Sequence, residues 1–243
     1  MRIVRFPLNA HGRDFAVGDI HGAFAALEAA LTAIGFDRRR DRLFSVGDLV
    51  DRGPASHTVT DWLDQPWFHA VCGNHDFMTW RSALGQPFEP VDHLAHGGQW
   101  LAQLPPPEQR RIGQRLAALP MAMEVETPAG LVGIVHADFP SDDWQDLAHI
   151  DWSQLDRMGS VAGQCLWSTD RYRLRYAGPV AHIRAVVHGH QRVPVAQVLG
   201  NVHFIETCGW QPAGHFTFLE LQSLQPRTGP GGRLAAPPRP RYR

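Results

Sequence analysis

Three times in its first hundred residues the chain runs through a short apolar stretch into a cluster joining glycine to acids, amides or imidazoles. Residues 15–17 lead into Gly18-Asp19-Ile20-His21-Gly22, and residues 43–46 into Gly47-Asp48-Leu49-Val50-Asp51-Arg52-Gly53. Residues 67–71 lead into Gly73-Asn74-His75-Asp76. Between the first two, Phe24, Leu27, Leu31 and Ile34 recur at helical spacing until Gly35, and a helix over about 55–63 separates the second from the third. This is a βαβαβ rhythm. In an open α/β sheet the ligand crevice lies beyond the carboxyl ends of the strands, so the three clusters should converge.

Downstream, residues 77–119 read as helix and loop, broken at Gly97-Gly98 and Pro105-Pro106-Pro107. A hairpin is expected over 121–126 and 131–136, turning at Pro128-Ala129-Gly130. Residues 138–180 are polar and irregular, and strand character resumes at 185–187, 202–205 and 216–221. From Pro226 onward there are five prolines, three glycines and five arginines without an acid, which predicts a catalytic domain over 1–225 and a disordered tail over 226–243. Removing those arginines from the 23 leaves 18 against 24 acids, a net of −6 beneath the formal −1 of the whole chain.

All 23 basic side chains are arginine. That excludes Schiff-base chemistry on a side-chain amine and the phosphate-loop or strand lysine of nucleotide hydrolases and kinases. Cys72, Cys165 and Cys208 lack a CxxC spacing, which speaks against a disulfide framework or thiolate zinc site and for a cytoplasmic setting. No global basic excess or long apolar run points to nucleic acid or membrane.

Asp19, Asp48, the amide of Asn74 and several imidazoles form an oxygen and nitrogen ligand set suited to manganese, iron or zinc. One carboxylate can bridge two ions, and ions about 3.5–4 Å apart can generate hydroxide near neutral pH and clamp an in-line phosphoryl displacement.

The three clusters, in this order, resemble the signature of the phosphoprotein phosphatase family of the metallophosphoesterase superfamily. His136 in Val135-His136-Ala137 and His190 in Gly189-His190 fit its later motifs. The likeness spans about residues 14–220 and is closest to the small bacterial and phage branch of lambda-phosphatase-like serine/threonine phosphatases. Gln65-Pro66-Trp67-Phe68, Gly97-Gly98 and Leu166-Trp167 with Asp170-Arg171 also look like that branch. The resemblance implies a calcineurin-like α/β fold, an α-β-β-α sandwich of two mixed sheets flanked by helices.

Carried over residue by residue, it makes Asp19 and His21 ligands of a first metal and Asp48 the bridging ligand, with Asn74, His136 and His190 completing a second. His75 becomes the general acid for the leaving alkoxide, oriented by Asp51, a pairing that an imidazole's need for an orienting carboxylate also supports. Arg52 would grip the phosphoryl oxygens bidentately. Arg171 is the candidate for the family's second arginine, with Arg173 and Arg175 close by. His188 is read as a neighbour of the ligand His190. His57, His93, His96, His149 and His215 are read as solvated or structural, and Trp100, Trp144 and Trp210 as candidates for the cleft wall.

The implied reaction is hydrolysis of phosphoserine or phosphothreonine, with phosphotyrosine and small phosphate esters as further substrates. Attack comes from a hydroxide bridging two metals, manganese foremost, with no phosphoenzyme. Symmetrical hydrolysis of diadenosine tetraphosphate is the rival. Its enzymes share GDxHG and GNHD but typically lack the acid of the DRG element, so Asp51 favours the phosphatase, whereas Asp76, where most phosphoprotein phosphatases have glutamate, leans the other way. A regulatory binding module with a weak site is a third reading, against which the complete ligand set argues.

Overall fold

The computed structural model describes residues 2–229. Six strands form one sheet in the order β1 (Ile3–Phe6), β5 (Ala122–Thr127), β6 (Gly130–Val135), β7 (Ala185–His188), β9 (Val202–Phe204) and β8 (Gln197–Leu199). Five form the other, in the order β11 (Gln225–Thr228), β10 (Thr217–Glu220), β2 (Asp14–Val17), β3 (Arg42–Ser45) and β4 (Phe68–Ala70). Both sheets are mixed. Strands β2, β3 and β4 run parallel, as do β6, β7 and β9, while β10 opposes β2 and β5 opposes β6.

Side-chain alternation along the strands builds three apolar layers. Ala16, Phe44 and Leu219 of the five-stranded sheet meet Met123, Val125, Val132, Ile134, Ala185 and Val187 of the six-stranded sheet in the central layer. Their neighbours Phe15, Val17, Leu43 and Phe218 face outward, under Leu27 and Leu31 of α1 (Phe24–Ala33), Val59 of α2 (Val59–Leu63) and Phe77 of α3 (Asn74–Ala83). Trp100 of α4 (Gln99–Ala102) and Ile112 and Leu116 of α5 (Pro106–Ala117) complete that layer. On the opposite side Ala122, Val135, Val186 and Phe204 pack against Trp144, Leu147, Cys165 of α6 (Val161–Trp167) and Tyr172 of α7 (Asp170–Arg173). This is the α-β-β-α sandwich implied by the resemblance.

Three strands escape sequence reading: β1, β8 and β11, all at or next to a sheet edge, short and half exposed, with no alternating apolar pattern to betray them. The last crosses the boundary drawn at residue 225. Pro226 is tolerated because β11 is an edge strand, and Arg227 is held by Glu220 at 2.7 Å and by the face of Phe15. Residues 230–243 of the expected tail lie outside the described residues.

The carboxyl ends of β2, β3 and β4 carry the three glycine-acid clusters, and those of β6 and β7 carry His136 and the Gly189-His190 pair. At the opposite, amino ends, Arg42 of β3 lies beside Asp14 of β2 and grips its carboxylate at 2.8 Å with both Nε and Nη2. Asp14 is only 1% exposed. Removing one member of a buried pair strands the other charge, a loss of about 3–5 kcal/mol. Arg42→Met should therefore lower the unfolding free energy in urea by about 3 kcal/mol, and adding Asp14→Asn should restore more than half of it. A single-variant loss under about 1 kcal/mol would show the carboxylate to be solvated.

Candidate metal centre

The first two loops are laced together through their backbones. Ile20 and His21 both donate to the carbonyl of Asp48, at 3.0 and 2.8 Å, and Gly22 donates to Leu49 at 2.8 Å. A Cβ at residue 53 would collide with the His21 carbonyl oxygen, and one at residue 73 with the Asp48 side chain, so these two glycines set how closely the loops approach. The third loop joins through Asp76, whose carboxylate accepts from Leu49 N–H and Gly73 N–H, both at 2.9 Å. Gly73 has no side chain to cap α3, and Asp48 supplies the cap from the neighbouring loop by accepting His75 N–H at 2.9 Å.

Three imidazoles converge on Asp48 and Asn74, each fixed by a backbone carbonyl. Nδ1 of His21 donates to Val50, Nδ1 of His136 to Val46 and Nε2 of His190 to Trp167, at 2.9, 2.8 and 3.1 Å. The opposite nitrogen of each then offers a lone pair to the centre of the site. Nε2 of His136 and Nδ1 of His190 both face Oδ1 of Asn74, at 2.9 and 3.0 Å, and the former lies 3.4 Å from Oδ1 of Asp48. Acceptors facing acceptors have no proton to share. A cation among them satisfies all of these atoms at once, and the mixed nitrogen and oxygen set fits a divalent metal.

Ligand-type atoms lie within 4.8 Å of one another in two groups that share Asp48: His21, Asp48 and His75, and Asp48, His136 and His190. Asp19 stands beside them, its Oδ1 accepting His190 N–H at 3.1 Å.

Burial keeps the imidazoles neutral, pushing His21 and His190 down to about 3 and lowering His136. For Asp48, burial favours the neutral acid, but the charge that His136 and its neighbouring imidazoles carry when protonated outweighs it and lowers the carboxyl from its usual range. Asp19 is pushed up, first by burial and then by the charges of Glu206 and Asp48. Glu206 is itself raised to about 7 by burial, although it accepts N–H bonds from Asp19, Cys208 and the Trp210 indole at 2.9–3.0 Å. These buried acids leave the pocket short of positive charge, which divalent ions would supply.

Beside the metal-type ligands lies a hydrogen-bonded dyad, with Nδ1 of His75 2.8 Å from Oδ2 of Asp51. Asp51 is fully buried and surrounded by donors: the His93 ring at 3.0 Å, the Trp100 indole at 2.8 Å and the Thr79 hydroxyl at 3.3 Å. Burial would raise its pKa, but the bonds from His75 and His93 prevail and bring it to about 2. Neither His93 nor Trp100 could be given this role from sequence. Their only signal is that they flank Gly97-Gly98, whose loop packs against Arg52 and the His93 ring.

Among the described residues, five of the nine non-glycine residues with positive φ are His21, Asp48, Asp51, Arg52 and His190. Strained backbone is thus concentrated on the residues that face the site.

Arg52 lies over the Trp210 indole, 5.0 Å from its centroid, and donates to Nε2 of His21 at 2.7 Å. A cleft of about 260 Å³ opens here, its walls including Asp19, Asn74, His75, Thr169, Arg192 and Trp210. The structure does not bring Arg171 into it. The helix beginning at Asp170 turns that side chain away, and its buried guanidinium is used by the Gly178 carbonyl at 2.8 Å, by Asp142 at 3.4 Å and by the ring of Tyr176. Arg173 pairs with Asp170, and Arg175 with Gln197. Trp144 is also elsewhere, donating to Glu124 in the opposite layer. His188 is buried, with Nδ1 on the Val135 carbonyl. Glu206 and Arg192 were not foreseen, although the latter lies two residues beyond His190.

The family described as calcineurin-like phosphoesterase matches residues 15–194. Serine/threonine-protein phosphatase 2 of Escherichia coli (strain K12) is 32% identical over 226 residues, covering 88% of this chain and 96% of that one. The symmetrical bis(5'-nucleosyl)-tetraphosphatase of Chromohalobacter salexigens is 43% identical over 86 residues, about a third of each chain (33% and 31%). A solved structure assigned as a diadenosine tetraphosphatase superposes with a TM-score of 0.66 at 24% identity, covering 95% of this chain and 98% of that one. With the family match running through both sheets and every loop of the ligand cluster, the chain belongs to the calcineurin-like phosphoesterases.

Proposed function

We propose that the chain is a metal-dependent phosphatase of phosphoserine and phosphothreonine monoesters in proteins, working in the cytoplasm. The observation that carries this reading is the His75–Asp51 dyad with its full complement of donors, set against the two ligand groups that share Asp48. The whole-length likeness to a serine/threonine-protein phosphatase supports it. The likeness to the Chromohalobacter tetraphosphatase covers a third of the chain and keeps dinucleotide hydrolysis as the competing reading.

Asp19 and His21 would hold one divalent ion and Asn74, His136 and His190 a second, with Asp48 shared. When bound, the ions, manganese foremost, neutralise phosphoryl oxygens and lower the pKa of water. The protein's own groups do the rest. Asp51 accepts the hydrogen bond from Nδ1–H of His75 and so orients the protonated ring, whose Nε2–H passes to the departing seryl or threonyl oxygen and leaves the imidazole neutral. Arg52 presents its flat fork to the phosphoryl oxygens, with the Trp210 face limiting where the guanidinium can go.

With manganese supplied, the wild type should hydrolyse p-nitrophenyl phosphate and a phosphoserine peptide in preference to diadenosine tetraphosphate, and Asp48→Asn should lose at least about 10³-fold in rate. Preference for the dinucleotide would overturn the substrate class, and an active Asp48→Asn the metal chemistry. His75→Asn should lower kcat by about 10²–10⁴-fold, the range for general acid catalysis, while calorimetry shows manganese bound as in the wild type. Trp100→Phe removes one donor from Asp51 and should cost about tenfold in kcat, a charge-assisted bond being worth about 1.5–3 kcal/mol, with manganese binding unchanged. Wild-type kcat in Trp100→Phe would show that the indole only fills space.

A further inference from the structure

Among the described residues, most arginines of the C-terminal half have partners. Arg171 serves Asp142 and the Gly178 carbonyl, Arg173 serves Asp170, Arg175 serves Gln197, and Arg184 serves the carbonyls of Leu221 and Gln222. Arg192 differs. It is exposed, it lines the same cleft as Asp19, Asp48 and Arg52, and among the described residues its guanidinium makes no hydrogen bond or ion pair.

Its backbone, by contrast, is fixed on both sides. His190 N–H is held by Asp19 at 3.1 Å, Gln191 N–H by the Gly189 carbonyl at 2.5 Å and Val193 N–H by the Glu206 carbonyl at 2.8 Å. Val193 is buried. A pinned turn carrying an unpaired guanidinium at the mouth of a cleft is arranged for an anion arriving from solvent. Arg52 is restricted on one side by the Trp210 face, 5.0 Å from its centroid. The wall at Thr169 offers only a hydroxyl.

We propose that Arg192, on the turn after His190, is the second guanidinium that grips the phosphoryl group in the cleft, the task that sequence reading assigned to Arg171. The inference rests on the phosphatase reading above, and it places the anion grip on the same turn as a metal-type ligand. A phosphate group has oxygens enough for two forks, and each charge-assisted pair adds to binding in ground and transition states alike.

The test uses the manganese-loaded protein with p-nitrophenyl phosphate as substrate and inorganic phosphate as competitive inhibitor. Arg192→Ala should raise KM and the inhibition constant of phosphate together by about tenfold or more, with a smaller change in kcat. Arg192→Lys should recover part of both, and Arg175→Ala should match the wild type. Calorimetric titration of inorganic phosphate into the same proteins reads the grip without turnover. If Arg192→Ala binds phosphate and substrate within twofold of the wild type, the assignment is wrong. If only a phosphopeptide with flanking acids is weakened, Arg192 reads the peptide and not the phosphoryl group, which also overturns it. A wild type inactive on every monoester would defeat the phosphatase reading alone, and the phosphate titration would still decide for or against Arg192.

Discussion

The site depends on where the Asp48 carboxylate is held. Its residue sits at positive φ, its carbonyl receives two N–H groups from the first loop, and its side chain caps the helix that begins the third. Asp48 is thus the piece of backbone on which three loops are registered, and also the atom pair shared by both ligand groups. A change there disturbs the loop positions and the donor set together. The surrounding acids and imidazoles are tolerated in a dry interior because each has a fixed partner on one side and a common centre on the other. A cation at that centre answers the charge that burial would otherwise penalise.

Layering explains why the loops arrive at the same place. Strands β2, β3 and β4 of one sheet and β6 and β7 of the other present their carboxyl ends at one edge of the sandwich, so Asp19 and His190, 171 residues apart in sequence, become neighbours. The central apolar layer packs beneath this edge. Metal-type ligands on strand ends can then keep strained backbone that a flexible loop would relax.

The parallel half was legible because its strands are buried on both faces and end in glycine-acid clusters, and because its ligand types belong to a known chemical set. Edge strands were not legible: β1, β8 and β11 take their stability from pairing rather than from an apolar pattern of their own. Asp19, His21, Asp48, Asn74, His136 and His190 could be assembled from motif order, and the fold brings them together. What sequence could not supply was the supporting ring of His93, Trp100, Thr79 and Glu206, since nothing local distinguishes a histidine or tryptophan that serves a buried carboxylate from one that fills space. That Arg171 lies outside the cleft was hidden for a related reason. Three arginines at positions 171, 173 and 175 look alike in sequence, whereas the turn into α7 sends each to a separate partner.

An arginine-only basic set has a structural counterpart. Guanidinium groups lie over aromatic rings at Arg13 on Phe15, Arg42 on Phe44, Arg52 on Trp210 and Arg171 on Tyr176, at 4.9–5.5 Å from the ring centres. A flat, weakly hydrated cation can stack and still donate from its edge, which a compact ammonium cannot do. At Arg52 both uses meet. The indole that carries the guanidinium is itself tied by its N–H to Glu206, and Glu206 holds the backbone of Asp19. A chain of three contacts therefore joins the Arg52 side of the cleft to its metal-type ligands. Displacing Trp210 would loosen both together, whereas displacing Arg192, whose guanidinium has no such tie among the described residues, would leave the ligand loops as they are.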